Sequence, residues 1–155
     1  MATDGIDVPM TFGAVTGRIL TGSRPQSLAD LKLLRAASVS HIVNVCETAD
    51  PAGAETVGIG QWLWNPTPDD GKPKSADWFC GSIRYAMHFL SAPGWCLYVH
   101  CYDGVNRGPS TVYAILRAWG IEPVRAKEMI IAARPIDIVG IRYAEDAEKA
   151  LLQGW

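Results

Sequence analysis

The stretch from Trp95 to Trp119 constrains this chain more than any other: WCLYVH, then CYDGVN, then RGPSTVYAILRAW. An apolar run straight after Gly94 predicts a buried strand over 95–100. Val112, Ile115, Leu116 and Trp119 recur at spacings of three and four, which predicts a helix over 110–119, ended by Gly120. Pro109 suits the first turn of that helix, where a missing N–H is no loss. A strand passing through a tight turn into a helix N-terminus is the building unit of open α/β sheets. Such sheets bind ligands at the carboxyl ends of their strands.

The rest of the sequence repeats that alternation. RILT (18–21) reads as a short strand. Ser27 can cap a helix over 28–38 with Leu28, Leu31 and Leu34 on one stripe. HIVNVC (41–46) and GIGQWLW (58–64) read as further strands. Residues 65–74, NPTPDDGKPK, hold three prolines and a glycine in ten positions and must be loop. Ser75 caps a helix to about residue 91, striped by Phe79, Ile83, Ala86 or Met87, and Leu90. Two more helices are predicted over 123–133 and 138–152. The expectation is one α/β domain across residues 1–155, with a central, mostly parallel sheet of four to five strands flanked by helices.

Composition narrows the function classes. At 48% hydrophobic, the 155 residues suffice for a real core, and the net charge of −2 comes without basic tracts. Nucleic-acid binding through bulk electrostatics is therefore not expected. MATDGIDVPMTFG lacks the basic and apolar regions of a secretory leader, and no apolar stretch approaches ~18 residues, so no membrane anchor is expected. The four cysteines, Cys46, Cys80, Cys96 and Cys101, lack the spacing of a zinc site, and a chain this apolar needs no disulfide staples. These features predict a cytoplasmic protein with reduced thiols, no metal and no cofactor. Oligomeric state is left open. Core packing is expected to account for most of the six tryptophans.

The turn itself carries chemistry. A helix N-terminus presents unpaired N–H groups and a partial positive charge. Gly104 can take conformations closed to other residues, so the loop from Tyr102 through Asp103, Gly104, Val105 and Asn106 to Arg107 can aim its N–H groups at one centre. The Arg107 guanidinium adds a planar fork matched to phosphate oxygens. Cys101 stands at the strand end within that field. Such surroundings lower a thiol pKa from ~8.5 to ~3.5–7.5, giving a nucleophilic thiolate at neutral pH. Cys80 and Cys96, on a helix face and in a strand, read as packed core residues.

His100, Cys101, Gly104 and Arg107 match H-C-x5-R, and on these residues the chain resembles the cysteine-dependent protein tyrosine phosphatases. The likeness spans about Gly17 to the C-terminus, and the size resembles the compact dual-specificity branch. Within it, Trp64 through Pro73 is similar to the tryptophan, proline and Asp-Asp-Gly-x-Pro loop of the phosphatases of regenerating liver. The resemblance implies a metal-independent phosphatase acting on phosphotyrosine in proteins, with phosphoserine and phosphothreonine as further substrates, through a phosphocysteine intermediate. It implies that Cys101 attacks phosphorus, that Arg107 and the N–H groups of 102–107 hold the phosphoryl oxygens, and that His100 supports the loop. It also implies an aspartate acid on the upstream loop. Asp70, directly before glycine, is the first choice and Asp69 the second. Cys46 corresponds to a cysteine that can pair reversibly with the nucleophile, although a packed strand cysteine fits equally well.

Three departures matter. Gly108 occupies a position where most relatives carry the Ser or Thr hydroxyl that stabilises the departing thiolate. Slow phosphoenzyme breakdown is therefore expected unless Ser110 or Thr111 reaches in. Asp103 must point outward, since it would repel phosphate. The loop has no lysine, which argues against a highly anionic inositol substrate. Other readings consistent with the sequence are a phosphate-binding module without turnover, and a phosphatase for small molecules or RNA 5′ ends.

Overall fold

The computed structural model describes residues 8–89 and 91–155. The leader reading on residues 1–7 and the placement of Leu90 lie outside the described residues. Five strands form one sheet in the order β1-β2-β5-β3-β4. They are β1 (Phe12–Thr16), β2 (Ile19–Gly22), β3 (His41–Asn44), β4 (Gln61–Trp64) and β5 (Leu97–His100). Only β1 runs antiparallel, against β2; the other pairings are parallel. Gly22, His100, Asn44 and Trp64 stand in one row across the carboxyl ends of the parallel strands.

Helices cover both faces. On one, α1 (Leu28–Ala36) sets Leu31 and Leu34 against Ile42, Ile59 and Tyr98. On the other lie α2 (Ala76–His88), α3 (Arg107–Ala118) and α5 (Ala144–Gln153), with Phe79, Ile83 and Ile115 against Val43 and Val99. The remaining helix, α4 (Pro123–Ala133), packs on α3 and β1. Leu31 and Leu34 are fully buried, each worth ~1.5–3 kcal/mol relative to exposure. Ser27 and Ser75 cap α1 and α2 as predicted, accepting from the backbone N–H of Asp30 and Trp78. Among the described residues no helix is long and apolar enough to cross a membrane.

The departures from expectation have local causes. The sequence reading contains no strand over Phe12–Thr16, because Gly13 interrupts a weak apolar pattern; the Thr16 hydroxyl turns the chain into β2 by accepting from Arg18 N and Ile19 N. The strand placed at 41–46 stops at Asn44, whose side chain takes the N–H of Cys46. The strand placed from 58 begins at Gln61, because Gly58 ends a short 3-10 turn at Glu55–Val57 in a left-handed conformation. Leu28 opens α1 and remains exposed, off the stripe assigned to it. The final helix starts at Ala144 rather than 138, and the loop before it turns Ile138 and Tyr143 inward.

Core packing also explains fewer tryptophans than expected. Trp78 and Trp95 are buried, whereas Trp62, Trp64 and Trp155 are about half exposed. Trp62 and Trp64 sit on the edge strand β4, on the same face, and line an apolar groove of about 270 Å³ with Pro51, Ala52 and Ala54.

Candidate active site

Strand β5 delivers Cys101 to the row of carboxyl ends, and α3 begins six residues later at Arg107. The thiol is buried, with only 2% of the residue exposed. The loop between them is tied by its carbonyls. Tyr102 O accepts from Arg24 N at 3.1 Å, and Asn106 O accepts from the Ser110 hydroxyl at 2.7 Å. Arg134 Nη1 donates to Asp103 O at 3.2 Å and to Gly104 O at 3.0 Å. None of the N–H groups of residues 102–107 finds an acceptor among the described residues outside helix α3. Unpaired donors in a turn at a helix N-terminus form an anion site.

Gly104 is indispensable to this shape. Its φ is +74°, and a Cβ there would lie 2.0 Å from Arg134 Nη1 and 2.3 Å from the backbone of Gly22. Asp103 is exposed, as expected, and Tyr102 at the rim is stacked by Arg24, whose guanidinium carbon lies 4.4 Å from the ring centroid. Arg24 also donates from Nη2 to the Tyr102 hydroxyl at 3.1 Å.

Arg107 is 6% exposed. Its Nη1 donates to Thr67 O at 2.8 Å and reaches Glu47 at 3.5 Å, while its buried Nε has no partner. A buried unpaired donor on a cation is costly, so it marks a position for an acceptor.

His100 supports the loop from beneath. Its Nε2 lies 2.7 Å from Asp50 Oδ1 and its Nδ1 3.2 Å from Cys101 O, so both ring nitrogens face oxygen acceptors. Full burial works against a charge on this ring. Asp50 and Cys46 outweigh that penalty and carry the imidazole up to about 9, so it is a cation at neutral pH. Asp50 itself is held by Asn44 Nδ2 at 3.3 Å. Asn44 thus acts through local partners rather than on the loop directly. The Cys46 thiol is 1% exposed and donates to Asn44 Oδ1 at 3.0 Å; all four cysteines are unpaired.

The two aspartates of the proline-rich loop diverge. Asp70, the first choice by its place before glycine, turns back into its own loop. It accepts from Lys74 Nζ at 2.9 Å and Lys72 N at 3.0 Å, and these bonds hold its carboxyl below the usual carboxylate range. Asp69 faces the phosphate loop instead. Its Oδ2 accepts from Asn106 Nδ2 at 3.0 Å and its Oδ1 from the Tyr143 hydroxyl at 2.7 Å. Burial raises the Asp69 carboxyl, but the bonds from Asn106 and Tyr143 and the charges of Arg107 and Arg142 hold it below the usual range. The geometry therefore reverses the order of the two carboxylates. Neighbouring residues on an extended loop point in opposite directions, and Lys74, four residues on, captures the second.

Gly108 lies against the thiol: a Cβ there would be 3.5 Å from Cys101 Sγ. The hydroxyls of Ser110 and Thr111 donate to Asn106 O and Arg107 O, so neither reaches in. Neither Cys101 nor the loop at 102–107 lines the groove on β4, and Asp50 is common to its wall and to the His100 pair. Sequence reasoning missed Asp50 and Tyr143, which no local pattern marks. Arg134 does end α4, as its place before Pro135 suggests, but its hold on the loop carbonyls carried no sequence signal.

No protein-family model matches the sequence. Solved structures do match over nearly the whole chain. A mouse putative dual specificity phosphatase, complexed with zinc tungstate, is 22% identical with a TM-score of 0.76, covering 94% of this chain and 89% of that one. Human DUSP28 is 23% identical with a TM-score of 0.74, covering 94% and 98%. PTPMT1 in complex with PI(5)P is 19% identical with a TM-score of 0.70, covering 93% and 99%. Strand order, loop and flanking helices together give this chain the fold of the compact dual-specificity branch of the cysteine-dependent protein tyrosine phosphatases.

Proposed function

We propose that the chain is a metal-independent phosphatase that hydrolyses phosphotyrosine in proteins through a phosphocysteine intermediate. The observation that carries this reading is the buried, partnerless Nε of Arg107 beside a loop of unpaired N–H groups above Cys101. That arrangement holds the equatorial oxygens of a phosphoryl group and stabilises the charge that develops on them. The Cys101 thiolate attacks phosphorus in line, and the bond from phosphorus to the leaving oxygen breaks. Asp69 gives that oxygen its proton. A water, relieved of its proton by the same carboxylate, then attacks phosphorus and releases the thiolate.

Asp69 is ionised in the free protein, so bound substrate must supply its proton affinity. A phosphoryl dianion on Arg107 does this by neutralising the guanidinium and repelling the carboxylate. The loop's lack of lysine disfavours a highly anionic inositol substrate, and the four unpaired cysteines support a cytoplasmic setting.

One observation favours a second reading. Gly108 places no hydroxyl beside Sγ, so a chain that binds phosphate and turns over slowly or not at all is also consistent. Phosphate release from p-nitrophenyl phosphate and a phosphotyrosine peptide, with chelator present and beside Cys101→Ser, separates the two. Turnover lost in the variant supports the phosphatase. Vanadate or phosphopeptide binding without turnover supports the binding module, and faster release from a phosphorylated dinucleotide than from the peptide would redirect the substrate assignment.

A further inference from the structure

The acid loop is fastened to the segment that leads into α5, and one side chain makes the decisive bond. Tyr143 is 3% exposed. Its hydroxyl donates to Asp69 Oδ1 at 2.7 Å and accepts from Gly71 N at 3.1 Å. Its backbone N–H donates to the Ser110 hydroxyl at 3.2 Å, which in turn donates to Asn106 O at 2.7 Å. Asn106 closes the circuit through its side-chain bond to Asp69 Oδ2 at 3.0 Å. Four bonds thus join the acid, the phosphate loop, helix α3 and the approach to α5 into one ring, and the bond from Gly71 N ties the acid loop to it a second time. Lys74 N donates to Asp146 Oδ2 at 3.0 Å, so the far end of the acid loop is anchored on α5 as well.

We propose that Tyr143 is a positioning residue that aims the Asp69 carboxyl at the leaving oxygen and sets the loop's closed register. The proposal rests on the phosphatase reading above and adds a role for a residue outside the loop and the acid segment. The two donors on Asp69 differ in kind. Asn106 is half-buried and belongs to the phosphate loop itself, whereas Tyr143 is buried in the core outside it. A carboxyl fixed at one oxygen by a buried phenol keeps a single rotamer, and its other oxygen is directed towards the loop. Orientation of this kind governs proton transfer, which depends steeply on geometry.

The charged groups around this pair are few. Arg107 on α3 and Arg142 beside Tyr143 act on Asp69. Lys74 Nζ lies 5.0 Å from the Tyr143 ring centroid and the Arg142 guanidinium carbon 5.8 Å. Removing the phenol hydroxyl leaves all of them in place, so Tyr143→Phe takes away only the bond to Asp69 Oδ1 and the bond from Gly71 N.

The test compares wild type and Tyr143→Phe on two esters: phenyl phosphate, whose leaving oxygen needs a proton, and an activated aryl phosphate whose phenolate leaves without one. The expected result is a loss of about tenfold in kcat on phenyl phosphate, less than twofold on the activated ester, and an unchanged KM. The alkaline limb of the phenyl phosphate profile should move to higher pH, because the lost donor had favoured the ionised carboxylate. Equal losses on both esters with an unmoved limb would overturn the proposal and leave Tyr143 a packing residue. A carboxyl-carbon NMR titration of Asp69 in both proteins, without substrate, reads the same bond independently of turnover. An upward shift in Tyr143→Phe with no Cys101-dependent turnover in wild type would refute the phosphatase reading while retaining the bond. An unmoved Asp69 would refute the positioning role even in an active enzyme.

Discussion

The floor of the site and its acid wall are built differently. The floor, residues 101–107, is pinned by Arg134, by the His100–Asp50 pair, and at its tightest point by Gly104 against Gly22. Its ties are buried or partly buried. The wall, residues 65–74, is exposed except for Lys74 and the half-buried Asn65 and Thr67, and is held by bonds at Thr67, Asp69, Gly71 and Lys74. A rigid floor keeps donors aimed where charge develops, at no cost in reorganisation during reaction. A wall hung on a few hydrogen bonds can open for substrate and close again. Substitutions in the floor should therefore change binding and stability together, whereas substitutions in the wall should change proton transfer alone.

The largest effect should come from Gly104→Ala. The added methyl meets Arg134 and the Gly22 backbone at a positive φ, which should cost about 3 kcal/mol of stability. Chemical denaturation and vanadate binding should both record it; a variant with wild-type affinity would show that the floor yields as readily as the wall. Next in size, Asp69→Asn should lower kcat on phenyl phosphate by about 100-fold and flatten the alkaline limb. Asp70→Asn should stay within about twofold. A reversal of that order would mean that the loop rotates before chemistry.

The floor also has a pH signature. The His100 cation is raised above its unfolded value of 6.5 to about 9. Its stabilisation is thus complete below pH 6.5 and is lost as pH rises through 9, at most about 3 kcal/mol. Asp50→Asn should remove that slope from stability measured by denaturation across this window, with activity at neutral pH changing less than in Asp69→Asn. The smallest effect should be a gain. Gly108→Ser places a hydroxyl beside Sγ, where neighbours at 3.3–3.5 Å need give by only a few tenths of an ångström. Pre-steady-state kinetics should show the burst of the parent shrink, with steady turnover rising a few-fold.

The floor was legible in the sequence because its chemistry is contiguous: strand, cysteine, glycine, arginine and helix follow one another within one stretch. The wall was legible as a loop but not in its orientation. Residue order cannot say that Lys74 captures Asp70 and leaves Asp69 facing inward, since that depends on where α5 stands. Asp50 and Tyr143 were invisible for the same reason, reaching the site across 50 and 74 positions of chain. The antiparallel β1 escaped because its pairing, not its composition, makes it a strand.

The reach of Arg134 has a consequence for how the molecule assembles. One guanidinium holds Asp103 and Gly104 and, through Nη2 at 2.8 Å, Thr11, which lies 123 residues away. The sheet can pair its central strands before this link forms, but the phosphate loop is complete only when α4 has docked between the first strand and the third helix. In refolding, burial of the core should therefore precede oxyanion binding, and the gap between the two is the time the chain takes to close its longest circuit. A ribosome-bound chain arrested short of Arg134 would carry its cysteine and the arginine at 107, yet have no socket for phosphate. The loop after Cys101 is thus completed by Arg134 at the end of α4, not by the strand-to-helix segment that contains the cysteine.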